Sequence, residues 1–181
     1  AYLLDYKVTQ LAEGKKPDFN FLNLTGRQAY YNQGYTGQGV VFGVIDSGVV
    51  DHPELEGKCL SSVNCCKLAF NKTGIDENGH GSHVIGSLVG TNCGVDPGAK
   101  FRSYKVFNAM GEGIISDVTE AVIQATADKV NIICMSLTCG TAYPAELHKA
   151  CQAAVAAGIS VVVAAGNLGR GSLPFGRADA V

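Results

Sequence analysis

No apolar run in this 181-residue chain is long enough to cross a bilayer; the longest, such as Ile159 to Ala165, falls well short of the roughly 20 residues a spanning helix needs. The amino terminus lacks the basic-then-apolar pattern of a secretory signal, so any leader or pro-segment is expected to be gone already. An excess of one charge is missing too. With a formal net charge of -2 and scattered Lys and Arg, nothing draws the chain to nucleic acid or an anionic membrane, and neither is expected as a partner. No Cys-x-x-Cys occurs, and the adjacent Cys65-Cys66 offer no zinc spacing. Gly37-x-Gly39 precedes an expected strand, and no Gly-x-Gly-x-x-Gly opens a helix, so the dinucleotide fingerprint is absent as well.

What is present suits a globular domain, or most of one: 46% hydrophobic residues against 17% charged. Seven cysteines, Cys59, Cys65, Cys66, Cys93, Cys134, Cys139 and Cys151, cannot all pair within the chain. Cys134 and Cys151 sit in apolar segments and are expected to be buried thiols. The sequons at Asn23 and Asn71 are of a kind that arises often by chance and do not establish secretion.

The pattern alternates strand and helix. Thr25 is placed to cap a short helix through Gln33, and Val40 to Ile45 reads as a buried strand. Residues 51–78 show little periodicity and are expected to be loop. A helix follows from His80 through Val84, Ile85, Leu88 and Val89, then a strand at Phe101 to Phe107. Ser116 is placed to cap a helix with Val118, Ala121, Val122 and Ala125 on one face and Asp117 and Glu120 near its positive end. Asn131 to Leu137 is the next strand. Pro144 starts a helix bearing Leu147, Cys151, Ala154 and Val155 on one face, Gly158 stops it, and the strand Ile159 to Ala164 follows. Strands without alternation joined by helices predict an α/β fold with a parallel sheet covered on both faces, whose functional groups gather at the carboxyl ends of the strands.

Three motifs fall at those ends: Val44-Ile45-Asp46-Ser47-Gly48, Asn78-Gly79-His80-Gly81-Ser82-His83-Val84-Ile85-Gly86 and Ala164-Ala165-Gly166-Asn167. Together they resemble the subtilisin-like serine proteases. The resemblance runs from about Phe21 to Val181, the first two thirds or so of a catalytic domain of roughly 250 residues. It implies a three-layer sheet with helices on both faces, incomplete in this chain. Residues 1–20 are then an amino-terminal arm, and 21–181 the amino-terminal portion of the peptidase domain.

Carried over position by position, the resemblance makes Asp46 the triad aspartate, His80 its base and Asn167 the oxyanion donor, with Ala165 and Gly166 leaving room for the substrate carbonyl. Gly79 and Gly81 allow close backbone approach around the ring. Ser136, Leu137 and Thr138 resemble the strand on which the family lays an extended peptide, and Gly111 and Gly113, in Gly111-Glu112-Gly113-Ile114, the facing strand. Glu112 reads as a solvated loop carboxylate ahead of a rim selector for basic residues. His83 and His52 are expected to be structural, and His148 a solvated helix residue.

The family's nucleophile stands in a Gly-Thr-Ser motif, and no serine of this chain has that context. The expected function is therefore a serine endopeptidase whose serine comes from a separate carboxyl-terminal fragment, with a pro-segment and protein or peptide substrates as further partners. An inactive pseudoprotease or peptide-binding scaffold is the alternative. A metal hydrolase built on His80-x-x-His83 lacks a clear third ligand. No cofactor is expected: Glu54 stands where many relatives place a calcium carboxylate, but the loop that would complete the site is shortened to Gly90-Thr91-Asn92-Cys93-Gly94. The resemblance favours an extracytoplasmic or secreted location, and the odd cysteine count keeps an intracellular one open.

Overall fold

In the computed structural model, residues 24–138 and 144–166 are described. Five parallel strands form one sheet: β1 (Val41–Asp46), β2 (Cys59–Asn64), β3 (Lys100–Lys105), β4 (Ile132–Met135) and β5 (Ser160–Val163), in the order β2-β3-β1-β4-β5. The helices are α1 (Arg27–Tyr31), α2 (His80–Val89), α3 (Ile115–Ala127) and α4 (Ala145–Ala156).

β1 reads as an unbroken apolar run because it is central, flanked by β3 and β4 and buried on both faces. On one face α2 sets Ile85 and Val89 against Phe42, Val44 and Phe101. On the other, Val118, Ala121, Val122 and Ala125 of α3, with Leu147, Cys151 and Ala154 of α4, close over Ile45, Tyr104, Ile133 and Met135. Each fully buried Leu, Ile or Phe side chain contributes about 1.5–3 kcal/mol relative to exposure, so these two clusters carry the layers. The expected α/β architecture with helices on both faces is thus present.

Several details differ from the sequence pattern. A strand, β2, lies inside the segment expected to be loop; Cys59-Leu60-Ser61-Ser62-Val63-Asn64 is an edge strand with mostly exposed or half-buried residues, so no apolar periodicity marks it. Thr25 is not the cap of α1: Gly26, with φ 68°, occupies that position. Ser116 lies inside α3, whose cap is Ile114. Asp117 is buried in that first turn, where it accepts from the Lys67 amide at 2.7 Å and pairs with the Lys67 ammonium at 2.8 Å. Val155, expected on the apolar face of α4, is 46% exposed, and Ala150 is buried in the shared core instead. The arm at 1–20 lies outside the described residues.

Candidate active site

Because every pair in the sheet is parallel, the ends of β1, β3 and β4 lie on one edge, and α2 begins there. Asp46, the last residue of β1, is 1% exposed, and its Oδ1 lies 2.8 Å from His80 Nδ1. The same oxygen accepts the Ser47 amide at 2.7 Å. Oδ2 is buried with no donor among the described residues, a burden of about 1–3 kcal/mol for an ordinary buried acceptor. An imidazole that donates from Nδ1 keeps Nε2 free to accept a proton, and the His80 ring is 46% exposed, so a reacting group can reach it.

The pair is assembled by a hub that the sequence reading passed over. Asp76, 6% exposed, takes five hydrogen bonds. Its Oδ1 accepts from the Ser47 hydroxyl (2.8 Å), the Asn78 amide (3.0 Å) and the Gly79 amide (2.8 Å), and its Oδ2 from the Ser82 amide (2.9 Å) and hydroxyl (2.6 Å). Lys105, wholly buried at the end of β3, donates to the Ile75 carbonyl at 2.8 Å and to Glu77 at 3.2 Å. A buried ammonium persists only when paired in this way. Asn78 reaches across to the Ala109 carbonyl at 3.1 Å, joining this loop to the segment expected to face a substrate. Gly79 has φ 97°, a value costly for other residues, and a Cβ on Gly81 would sit 2.3 Å from the Gly48 carbonyl. Close backbone approach is thus found at Gly81, whereas at Gly79 the space is open and the glycine serves the backbone conformation.

Charge follows geometry. The hydrogen bond to Asp46 raises the His80 pKa above its ordinary value; burial works against it, and the negative charges of Asp46 and Asp76 add to it. For Asp76, burial opposes ionisation, but the bonds from Ser82, Gly79 and Ser47 outweigh it and hold the carboxyl below the usual range.

The other expected residues divide. Asn167 lies outside the described residues; Ala165, exposed, and Gly166, with φ 84°, follow β5 on the same edge. Ser136, Leu137 and Thr138 follow β4 directly. Leu137 is 6% exposed with its side chain in the core. Gly111 has φ 75°, and a Cβ on Gly113 would sit 2.5 Å from the Val106 carbonyl. Glu112 accepts from Asn108 Nδ2 at 3.0 Å within its own loop and is exposed, which fits a loop carboxylate. His52 caps the short 3-10 turn Pro53–Leu55, its Nδ1 accepting the Glu54 amide at 3.2 Å. His83, expected to be packed, is exposed, and His148, expected to be solvated, is half-buried.

Glu54 does not fit a calcium site. Its Oε1 accepts from Asn92 Nδ2 at 2.7 Å, and its Oε2 from the Asn92 amide at 2.6 Å and the Cys93 thiol at 3.6 Å. Those bonds, the Asn92 side chain foremost, lower its pKa. The carboxylate a cation would need is already engaged by the shortened loop. Among the described residues no group of three or more His, Cys, Asp or Glu is placed to hold a metal ion, and no disulfide forms. Cys151 is buried as expected, while Cys134 is half-buried, its thiol pushed up by burial.

Residues 37–179 match the model of the subtilase family, peptidase S8. Subtilisin Savinase of Lederbergia lenta is 33% identical over 153 residues, covering 81% of this chain and 55% of that protein. An intracellular serine protease of Paenibacillus polymyxa is 38% identical over 151 residues, covering 79% and 46%. The crystal structure of a cold adapted subtilisin-like serine proteinase superposes with a TM-score of 0.66 at 32% identity, covering 74% of this chain and 48% of that one. The chain thus spans about half the length of these relatives. A match of this extent, running through both Asp46 and His80, places the chain in the subtilase family of serine proteases.

Proposed function

We propose that the chain is the amino-terminal portion of a serine endopeptidase that cleaves peptide bonds by a Ser-His-Asp mechanism, its serine supplied by a separate carboxyl-terminal fragment. The observation that carries this reading is the 2.8 Å contact between Asp46 Oδ1 and His80 Nδ1 at the carboxyl edge of the sheet. His80 Nε2 takes the proton of the serine hydroxyl as it attacks the scissile carbonyl, and Asp46 stabilises the imidazolium that forms. The proton then passes to the leaving amine. The Asn167 side-chain amide donates to the oxyanion; such a donor, measured in this same family, is worth about 10²- to 10³-fold in turnover. An extended peptide lies between 136–138 and 111–113, held by main-chain hydrogen bonds. Peptide or protein substrates and an extracytoplasmic or secreted setting complete the reading; no described helix is long and apolar enough to cross a membrane.

The test is intact mass spectrometry of the native particle under denaturing conditions after treatment with a fluorophosphonate. A second, labelled polypeptide carrying Gly-Thr-Ser is the expected result. This chain alone, with no label and no turnover, would overturn the reading and leave a peptide-binding scaffold.

A further inference from the structure

We propose that Asp76 is a positioning residue for His80: with Ser47, its carboxylate fixes the first turn of α2 against the end of β1, so that the imidazole meets Asp46. The inference rests on the serine-protease reading of that pair.

A helix begins with backbone N–H groups that have no partner within the helix, and its cap residue normally supplies one. The cap of α2 is Gly79, which has no side chain to do so. Every amide at this terminus is nevertheless satisfied from outside the helix. Gly79 and Ser82 donate to Asp76, Gly81 donates to Ser47 Oγ at 2.8 Å, and His80 donates to Asn78 Oδ1 at 3.3 Å. Ser47 is next to Asp46 in sequence, and its hydroxyl is shared between the two partners, accepting from Gly81 and donating to Asp76. Two short bridges therefore tie the residues on either side of His80 to the residue beside Asp46. Lys105 grips Ile75 and Glu77, the neighbours of Asp76 on both sides, so the carboxylate is not free to slide.

Both oxygens of Asp76 face only donors, a demand that a carboxylate meets and an amide does not. An asparagine at this position turns its NH₂ toward N–H groups on one side or the other, and the first turn of α2 must move away from it. A shift of about 1 Å in a catalytic group costs on the order of 10²-fold in rate. The charge matters separately. Among the described residues the charged groups around this junction are Asp46 from β1, Asp76 and Glu77 from the loop, and Lys105 from β3; Lys105 and Glu77 are paired with each other, leaving Asp46 and Asp76 to favour the imidazolium.

The experiment uses the complete protease, with Asp76→Asn, Ser47→Ala and Ser82→Ala compared by steady-state hydrolysis of a peptide anilide and by NMR titration of the His80 imidazole. D76N is expected to lose about 10²-fold in kcat with KM little changed, and its His80 midpoint is expected to move to lower pH. S47A, which removes the hydroxyl that both bridges share, and S82A, which removes one of the five bonds to Asp76, lose less. A folded D76N with the parent kcat and the parent His80 midpoint overturns the proposal. Should D76N not fold, S47A and S82A decide it, and parent kcat and midpoint in both would overturn it equally. The NMR arm does not depend on turnover, so an inactive parent protein would sink the protease reading while the His80 midpoint still judges Asp76.

Discussion

The α3–α4 face of the sheet and its carboxyl edge are held by different physics. Beneath the helices, Val118, Val122, Leu147, Ile133 and Met135 make an apolar core in which each contact is non-directional. At the edge, Asp46, Ser47, Asp76 and Lys105 are as deeply buried, yet each is polar, and most of their atoms have a partner at hydrogen-bond distance. Removing volume from the first region degrades stability by degrees. Removing a donor or a charge from the second strands its partner, and the consequence falls on function.

Asp46→Asn gives the sharpest break. It preserves shape but favours the wrong imidazole tautomer, and kcat in the complete protease is expected to fall about 10⁴-fold while the thermal midpoint moves little. A loss below tenfold in an active-site-titrated sample would show that Asp46 is not the orienting carboxylate. Leu147→Ala inverts the pattern. This wholly buried α4 side chain should cost about 2–5 kcal/mol in urea unfolding, with kcat per folded molecule unchanged. A selective loss of kcat would mean the two regions are not separable.

Acid probes the edge through two groups whose pKa values move in opposite directions. His80 is raised, so its neutral, base-competent form is lost as pH falls through a midpoint above the ordinary value near 6.5, and kcat/KM should decline there first. Asp76 is lowered, so the stability it contributes is full above the ordinary aspartate range near 3.9 and drains as pH falls through its depressed value. Activity should therefore vanish well before the fold does. Coincident acid transitions in a parallel activity and circular-dichroism titration would refute that order.

Smaller effects test the periphery. Hydrogen exchange of the Asn92 amide should be the same in excess calcium and in chelator, because Glu54 already accepts from it, and should quicken in Glu54→Gln. Calcium-dependent protection of that amide would restore a metal site at this loop. Glu112→Gln, confined to its own turn, should stay within about 0.5 kcal/mol of the parent and leave the preference for basic residues unchanged.

The central strand β1 was legible because a strand buried on both faces is apolar throughout, β4 and β5 because each is a short Ile- or Val-rich run bounded by helix signals, and the helices because their buried positions recur every three or four residues. β2 was not, since Cys59-Leu60-Ser61-Ser62-Val63-Asn64 is mostly exposed or half-buried and carries no apolar run. The first turn of α2 carried a signal that periodicity does not weigh: a short acceptor, Asp76, just ahead of the helix start, with a serine six residues on.

By itself the sequence determined the alternation of strands and helices, the family, and Asp46 and His80 as the candidate pair, all of which reside in runs of neighbouring residues. Only the tertiary structure decided that Asp76 and Ser47 hydrogen-bond the first turn of α2 around His80, that Lys105 is buried beside them, that Glu54 accepts from the Asn92 side chain and amide, and that Leu137 points into the core. Those outcomes depend on which groups meet across separations such as the 34 residues between Asp46 and His80. A carboxylate's role is set by the donors that surround it once the chain has folded, and no local pattern encodes them.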